Sequence, residues 1–209
     1  MMKLFGNRVS VSKEEIEDRR MYLIDELGIS PGSVRYLEKY APTLCDLVTV
    51  QKRYDHLVRL GFADPCAFIN NNPFIIMRSC ENVAEKFHLW KDAIAQFDPH
   101  VDIYQLLDER LQILSASSRK ARVIFLLAKH LARDVNADRL CNIVTLNLED
   151  VLLAYINYTC QNFFDLCVKA RKMRKEMKGK PVHFKRGMVM YMRKKLPPDV
   201  ESAYRESLE

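Results

Sequence analysis

The chain has little of what β-structure and membrane spans require. Only 6 of its 209 residues are glycine, and strand-like alternation of apolar and polar residues is nearly absent. Its longest purely apolar runs reach about half a dozen residues, whereas a membrane-spanning helix needs ~20. The first two features favour an all-α chain, and the third predicts a soluble protein without membrane insertion.

The sequence also lacks the local motifs of common enzyme classes. It contains no P-loop, no dinucleotide-binding G-x-G-x-x-G, no G-x-S-x-G and no H-E-x-x-H motif. Five histidines, at positions 56, 88, 100, 130 and 183, stand singly without ligand spacing. We therefore predict no catalysis, no cofactor and no metal.

Cysteine is present, but not in a pattern that indicates disulfides or metal binding. The six cysteines, at positions 45, 66, 80, 141, 160 and 167, form no C-x-x-C pair. Most occupy places where a helix would bury a small apolar side chain. We expect reduced core cysteines and a reducing compartment.

What the chain does contain is a recurring signal for the start of a helix. A good N-cap residue is followed by proline at three places, with the prolines 34 residues apart: Ser30-Pro31, Asp64-Pro65 and Asp98-Pro99. Proline is favoured at the first helical position because its missing N–H would be unpaired there anyway. A helix is therefore predicted to begin at each of these points.

Each predicted unit also has an end signal and an internal break. Gly28 and Gly61 can adopt the left-handed conformation that closes a helix. Pro42 and Pro73 cannot lie inside a helix, and each opens a short apolar run before a longer amphipathic segment. Each unit therefore reads as helix, short 3-10 turn and longer helix.

Several further elements follow from local patterns. Ser12 and Glu15 form a capping box that starts a helix ending at Gly28. Residues 111–115 occupy the place of the short turn in a third unit, and a long helix is predicted over about residues 117–133. A fourth unit is predicted to start near Asn136. Its long helix is predicted to run from Leu148 into the basic segment near Lys175, and to be apolar nearly all round and buried from Val151 to Val168.

One stripe of this pattern identifies core residues. Val83, Phe87, Trp90 and Ile94 recur at helical spacing, which is typical of packing rather than of base stacking.

A helical repeat with a period of 20 to 50 residues indicates a solenoid. We predict a right- or left-curving solenoid of about four ~34-residue repeats over residues 1–168. A basic helical extension is predicted over residues 169–209.

Charge is concentrated near the C-terminal end. Residues 169–195 hold 12 of the 33 basic residues and 1 of the 27 acidic ones, so that they carry +11 while the rest of the chain carries −5. This asymmetry indicates a polyanionic partner, nucleic acid first and anionic membrane second. A last basic helix is predicted over about residues 183–195.

The candidate phosphate-binding residues fall into two sets. The first is a strip on one side of the helix at 117–133, made of Arg119, Arg122, Lys129 and Arg133. Leu126 interrupts this strip. The alternative interpretation is an ordinary solvated helix face. The second lies in the C-terminal extension: Lys169, Arg171, Lys172, Arg174, Lys175, Lys185, Arg186, Arg193 and Lys194.

The repeat sequence resembles that of the mitochondrial transcription termination factor family. Leu27-Gly28, Pro42-Thr43-Leu44, Leu60-Gly61 and Asn72-Pro73-Phe74-Ile75-Ile76 carry the resemblance, which covers about residues 23–168. It implies a superhelix with a basic groove that binds double-stranded DNA or ribosomal RNA in mitochondria or chloroplasts. It also implies a non-enzymatic protein, and some family members dock another protein.

Two functions are therefore expected. The first is nucleic-acid binding in organellar gene expression, either as transcription regulation or termination on double-stranded DNA or as ribosomal RNA binding. The alternative is a scaffold or assembly subunit of an RNA-containing complex such as the mitochondrial ribosome, anchored by its basic end and binding protein through its acidic N-terminal half. A membrane-surface anchor through residues 182–195 is a third, weaker hypothesis.

The expected location is mitochondrial, from the resemblance. Residues 1–13 contain three basic residues and no acidic one. They faintly resemble the end of a transit peptide, and a frayed N-terminus explains them equally well.

Overall fold

The computed structural model describes residues 12–40, 47–131 and 133–209. All regular structure in these ranges is helical, and none of the residues described forms a β-strand, which confirms the all-α prediction. No helix within these ranges is long and apolar enough to cross a membrane. The chain divides into two compact units, Met1–Asn82 and Val83–Glu209.

The first unit consists of short helices joined by tight turns. Its described elements are α1 (Lys13–Met21), a π-helical turn (Tyr22–Glu26), α2 (Pro31–Tyr40), α3 (Leu47–Arg59), α4 (Pro65–Asn71) and a 3-10 turn (Pro73–Met77). The Ser12 hydroxyl accepts the Glu15 N–H at 3.1 Å, which confirms the predicted N-cap. The predicted break at Pro42, Cys45 and most of the possible leader at residues 1–13 lie outside the described residues.

Two glycines end helices in this unit as predicted. Gly28 and Gly61 have positive φ angles of 66° and 93°. The Ile29 N–H reaches back to the Leu23 carbonyl at 2.8 Å, and the Phe62 N–H reaches the Leu57 carbonyl at 3.1 Å. These backward hydrogen bonds pair carbonyls that a helix end would otherwise leave open.

The second unit contains the rest of the helices. It includes α5 (Cys80–Phe97) from Val83 onward, α6 (Ile103–Glu109), a 3-10 turn (Leu111–Ser115), α7 (Ser118–Leu131), α8 (Ala137–Val144), α9 (Leu148–Asn157), α10 (Phe163–Glu176), α11 (Val182–Met192), a 3-10 turn (Arg193–Lys195) and α12 (Pro198–Glu206). The predicted order of short helix, 3-10 turn and longer helix is confirmed over residues 65–97 and 103–131.

The predicted stripe on α5 forms part of the core. Val83, Phe87, Trp90 and Ile94 are all buried. The Trp90 ring meets the Phe125 ring of α7 edge-on, with 5.0 Å between centroids. Edge-to-face contact adds to the hydrophobic gain of burying two aromatic rings.

The structure corrects the helix start predicted at Asp98-Pro99. α6 begins later, at Ile103, where the Asp102 carboxylate accepts the Tyr104 N–H at 2.9 Å. The Asp98 carboxylate instead accepts the N–H of Ala137 at 3.0 Å and so caps α8. A capping signal does not specify which helix it caps, because the partner amide can come from far along the chain.

The single long helix predicted from Leu148 to about Lys175 is also corrected. α9 ends at Asn157, and α10 starts at Phe163 after Asn162, whose side chain accepts the Asp165 N–H at 2.8 Å. The prediction that this apolar stretch is buried is confirmed from Leu148 to Ala154, where every residue is buried. It is wrong for Phe164 and Val168 of α10, which are 50% and 46% exposed because they lie on the outer side of that helix. α9 packs against both α10 and α11.

Candidate nucleic-acid interface

The predicted strip on α7 faces solvent. Arg119, Arg122, Lys129 and, just beyond the helix, Arg133 are exposed, while Val123, Ile124 and Leu127 on the opposite side are fully buried. Arg122 lies 3.8 Å from the Glu85 carboxylate, and both side chains are half-exposed. Such a pair contributes little, so all four cations remain accessible to a polyanion.

The C-terminal helix α12 packs on α7 and borders this strip. His130 of α7 lies 2.8 Å from the Asp199 carboxylate of α12, and their hydrogen bond lowers the pKa of Asp199. A groove of about 260 Å³ is lined by Leu89, Asp92, Ala93, Gln96, Phe97, Arg122, Phe125, Leu126, Lys129 and Ala203. Leu126, which interrupts the strip in the sequence, is half-buried in this groove. The strip is therefore split by an apolar cleft and flanked by an acidic helix.

α10 separates a buried stripe from a basic face. Phe163, Leu166, Cys167, Ala170 and Met173 are buried at helical spacing. Arg171, Arg174 and Lys175 lie on the exposed side and form no ion pair with any residue in the described ranges. Basic residues in the last turn are also favoured by the helix dipole. All three cations are therefore accessible to a polyanion.

The other two cations of α10 have partners on the protein. The ammonium of Lys169 lies 2.6 Å from the Asp165 carboxylate, and this hydrogen bond lowers the pKa of Asp165. Lys172 lies 3.9 Å from Glu176 and 5.4 Å from the centroid of the Tyr158 ring. Both lysines are partly engaged within the protein, so they offer less charge to a ligand than the three exposed cations.

The structure corrects the role predicted for Lys185 on α11. This lysine is buried, at 8% exposure, with its ammonium 2.9 Å from the carboxylate of Asp150, which is 1% exposed. Arg186 lies 3.1 Å from Glu149, which is also buried. Lys185 therefore anchors α11 to α9 and is not placed to contact a phosphate, and Arg186 is partly engaged in the same contact.

The two buried carboxylates stand at the start of α9. Asn147 caps that helix by accepting the N–H groups of Glu149 and Asp150 at 3.0 and 3.3 Å. A helix N-terminus favours negative charge. Lys120 of α7 approaches Glu149, whose charge opposes the lowering of the Lys120 pKa by burial. Glu149 is therefore a point where α7, α9 and α11 meet.

Tyr204 of α12 faces the same region. Burial raises the pKa of Tyr204 to about 12, and the charge of Glu149 adds to this effect. Its hydroxyl is buried and has no hydrogen-bond partner among the described residues. An unpaired buried hydroxyl costs stability, so this ring is held by its apolar packing.

The outer face of α11 and the turn after it present a different surface. Tyr191 is 87% exposed and Phe184 is 45% exposed. The ammonium of Lys180 lies 5.5 Å from the centroid of the Phe184 ring. Lys194 is exposed, whereas Arg193 lies 3.6 Å from the Glu201 carboxylate.

The histidine, cysteine and acidic side chains of the described residues are dispersed. These residues contain no group of three or more His, Cys, Asp or Glu side chains that could hold a metal ion. The five described cysteines are free thiols, and burial raises the pKa of Cys141 and of Cys167 to about 11. Such thiols are inert compared with exposed ones.

Sequence reasoning missed the exposed aromatic rings of α11 and the buried acids of α9. Tyr191 and Phe184 stand seven residues apart, which is a helical spacing that could have been read as one face. Asp150 interrupts an apolar run, which could have indicated a buried basic partner.

No protein-family model, curated protein or solved structure matches the chain.

Proposed function

We propose that this chain is a non-enzymatic nucleic-acid-binding protein of helical-repeat type. The observation that carries the proposal is the set of exposed cations near the C-terminal end that form no ion pair with any described residue. Arg171, Arg174 and Lys175 on α10 and Lys194 after α11 belong to a segment with a net charge of +11. Exposed, unpaired lysines and arginines are the groups that neutralise phosphates.

The repeat character of the fold is part of the same proposal. The order of short helix, 3-10 turn and longer helix recurs over residues 65–97 and 103–131 and supports a solenoid. The resemblance to the mitochondrial transcription termination factors supports a role in organellar gene expression. That role is regulation or termination of transcription on double-stranded DNA, or binding to ribosomal RNA, in mitochondria.

The direct test is a salt titration of binding to duplex DNA, duplex RNA and single strands. If about six to eight phosphates are neutralised on duplex DNA, log K falls against log salt with a slope of about −5 to −7. Binding that does not depend on salt would contradict the proposal.

A matched pair of triple variants locates the interface. Replacing Arg171, Arg174 and Lys175 by alanine should weaken binding and make the slope shallower by about 2 to 3. The control replaces Arg35, Lys52 and Arg59 of the first unit, which are also exposed and form no ion pair with a described residue, and it should leave the slope unchanged. Equal losses in both triple variants would show that only net charge matters.

The second candidate function is a protein scaffold anchored on RNA. The apolar groove between α5, α7 and α12 supports it, because it offers a partner a contact surface beside cations. This function predicts a stable protein co-complex and weak affinity for free DNA. Purification from the native compartment, followed by sequencing of crosslinked nucleic acid, distinguishes the two functions.

A further inference from the structure

The outer face of α11 carries two aromatic rings in line along the helix. Phe184, Gly187 and Tyr191 are spaced i, i+3 and i+7, which places them on one side of a helix. Both rings are unusually exposed, and Tyr191 is 87% accessible. Phenylalanine is normally among the most buried residue types, and tyrosine is intermediate. The Tyr191 ring is therefore open to a ligand, and the Phe184 ring is open on the side that Lys180 does not cover.

The opposite side of α11 fixes which way this face points. Val189 is fully buried, and the Lys185 ammonium lies 2.9 Å from the buried Asp150 carboxylate. A buried ion pair is costly to break. The helix therefore cannot rotate about its axis to bury Tyr191 without exposing that pair.

The aromatic face is surrounded by positive charge. Lys180 lies over the Phe184 ring, and Lys194 and Lys195 follow Tyr191 in the next turn, where both are exposed. The sequence contains no acidic residue between Glu176 and Asp199. The rings therefore lie in a basic environment, which suits a ligand that carries both flat apolar groups and negative charges.

Gly187 leaves space between the two rings. A Cβ atom at this position would meet no heavy atom within 4 Å. Seven residues of helix rise about 10 Å, roughly three times the ~3.4 Å spacing of nucleotides along one strand. The axial distance between the two positions is thus similar to the length of a short stack of bases.

We infer that this face binds unpaired nucleotides, with bases stacked on Tyr191 and Phe184 and phosphates near Lys180, Lys194 and Lys195. The inference rests on the proposed nucleic-acid binding and assigns a single-stranded ligand to one part of it. Aromatic rings gain affinity by stacking on open base faces. In a duplex those faces are already stacked, so the two rings add nothing to duplex binding.

The test uses the full chain and a fluorescein-labelled oligouridylate of about twelve nucleotides, followed by fluorescence anisotropy. Tyr191→Leu removes the ring and should weaken binding by about 5- to 150-fold, whereas Tyr191→Phe keeps a ring and should stay within about twofold of the wild type. The control Tyr40→Leu removes an exposed tyrosine beside a lysine in the first unit and should change nothing. Equal affinity of the Tyr191→Leu and Tyr40→Leu variants would overturn the inference.

A second variant keeps the test independent of folding. Gly187→Leu fills the gap between the rings, and leucine has a higher helix propensity than glycine, so α11 is not weakened. Binding of the oligouridylate should fall while affinity for duplex RNA stays unchanged. Unchanged binding to the single strand would contradict the proposed gap.

Two further outcomes separate this inference from the proposed function. If the wild type shows salt-dependent binding to nucleic acid and Tyr191→Leu binds oligouridylate equally well, the inference fails and the proposed function stands. If no nucleic acid binds in a salt-dependent manner, both fail. Flotation with phosphatidylcholine–phosphatidylserine vesicles tests the membrane alternative. If Tyr191→Leu loses vesicle binding but keeps its affinity for oligouridylate, the inference is also overturned.

Discussion

The two faces of α11 differ in an unexpected way: the inner face buries a charged side chain, and the outer face exposes an aromatic one. On the inner face Lys185 is buried against Asp150, and on the outer face Tyr191 is 87% exposed. The inner lysine is buried because a carboxylate at the buried start of α9 needs an opposite charge. The outer ring is exposed because no described element covers it. A count of basic residues in this segment therefore overstates how many cations reach solvent.

The inner face should dominate the stability of the second unit. Asp150→Ala leaves the Lys185 ammonium buried without its partner and should lower the free energy of unfolding by about 3 to 5 kcal/mol. Lys194→Ala, on the exposed turn after α11, should change it by less than about 0.5 kcal/mol. Urea unfolding measures both. Similar small changes in the two variants would show that the buried pair does not anchor α11.

A double replacement sharpens the role assigned to Lys185. Asp150→Leu with Lys185→Met replaces the buried pair by apolar groups and should recover most of the stability lost in Asp150→Ala. If the chain binds nucleic acid as proposed, the double variant should keep the affinity and salt slope of the wild type, because Lys185 is buried. A shallower salt slope would return Lys185 to the phosphate-binding set.

Val189 on the inner face and Tyr191 on the outer face should also differ in their contribution to stability, by a smaller amount. Val189→Ala removes two buried methyl groups and leaves a cavity, so it should destabilise by about 2 kcal/mol. Tyr191→Ala removes a larger side chain but from an exposed position, so it should cost less than about 0.5 kcal/mol. Thermal or urea unfolding of both variants checks the comparison. A larger cost at Tyr191 would mean that its ring packs against the protein.

Several local signals in the sequence predicted local structure, whereas the one at Asp98-Pro99 did not. The cap at Ser12, the helix ends at Gly28 and Gly61 and the 3-10 turn at residues 111–115 all follow from short stretches of sequence. The buried stripe of α5 follows from helical periodicity. Each of these features depends on residues within a few positions of each other, which is why one sequence suffices to find it.

Features set by distant partners could not be predicted in the same way. Asp98 caps α8, 39 positions further on, and Lys185 pairs with Asp150 of another helix. Neither contact has a local signal, since it depends on how helices pack in three dimensions. The same holds for the site, because the sequence located the basic segment but not which of its cations face solvent.

Tyr204 tests how the buried region around Glu149 tolerates a polar group. Tyr204→Phe removes a buried hydroxyl that has no hydrogen-bond partner among the described residues, and it should raise the free energy of unfolding by up to about 1 kcal/mol. The raised pKa of Tyr204, about 12, also predicts a pH effect.

Between the unfolded pKa of about 10 and the folded value, only the unfolded state loses the tyrosine proton. The wild type should therefore lose stability as pH rises from about 10 to 12, and Tyr204→Phe should lose less. Equal alkaline losses would show that the hydroxyl ionises as freely in the folded state as in the unfolded chain.

The smallest expected effect concerns the contact between α12 and α7. The hydrogen bond from His130 lowers the pKa of Asp199, so the carboxylate stabilises the fold above its unfolded pKa of about 4 and stops doing so as pH falls through its folded pKa. Both side chains are more than one-third exposed, so the contribution should be only a few tenths of a kcal/mol.

Asp199→Asn keeps the size of the side chain and removes its charge. Its stability deficit should therefore appear near neutral pH and vanish in acid, when urea unfolding is measured at several pH values. Glu206→Gln, an exposed acid at the other end of α12, serves as the control, because it has no basic partner among the described residues. A deficit in Asp199→Asn that persists at the lowest pH would mean that Asp199 acts through its position at the start of α12 rather than through its charge beside His130.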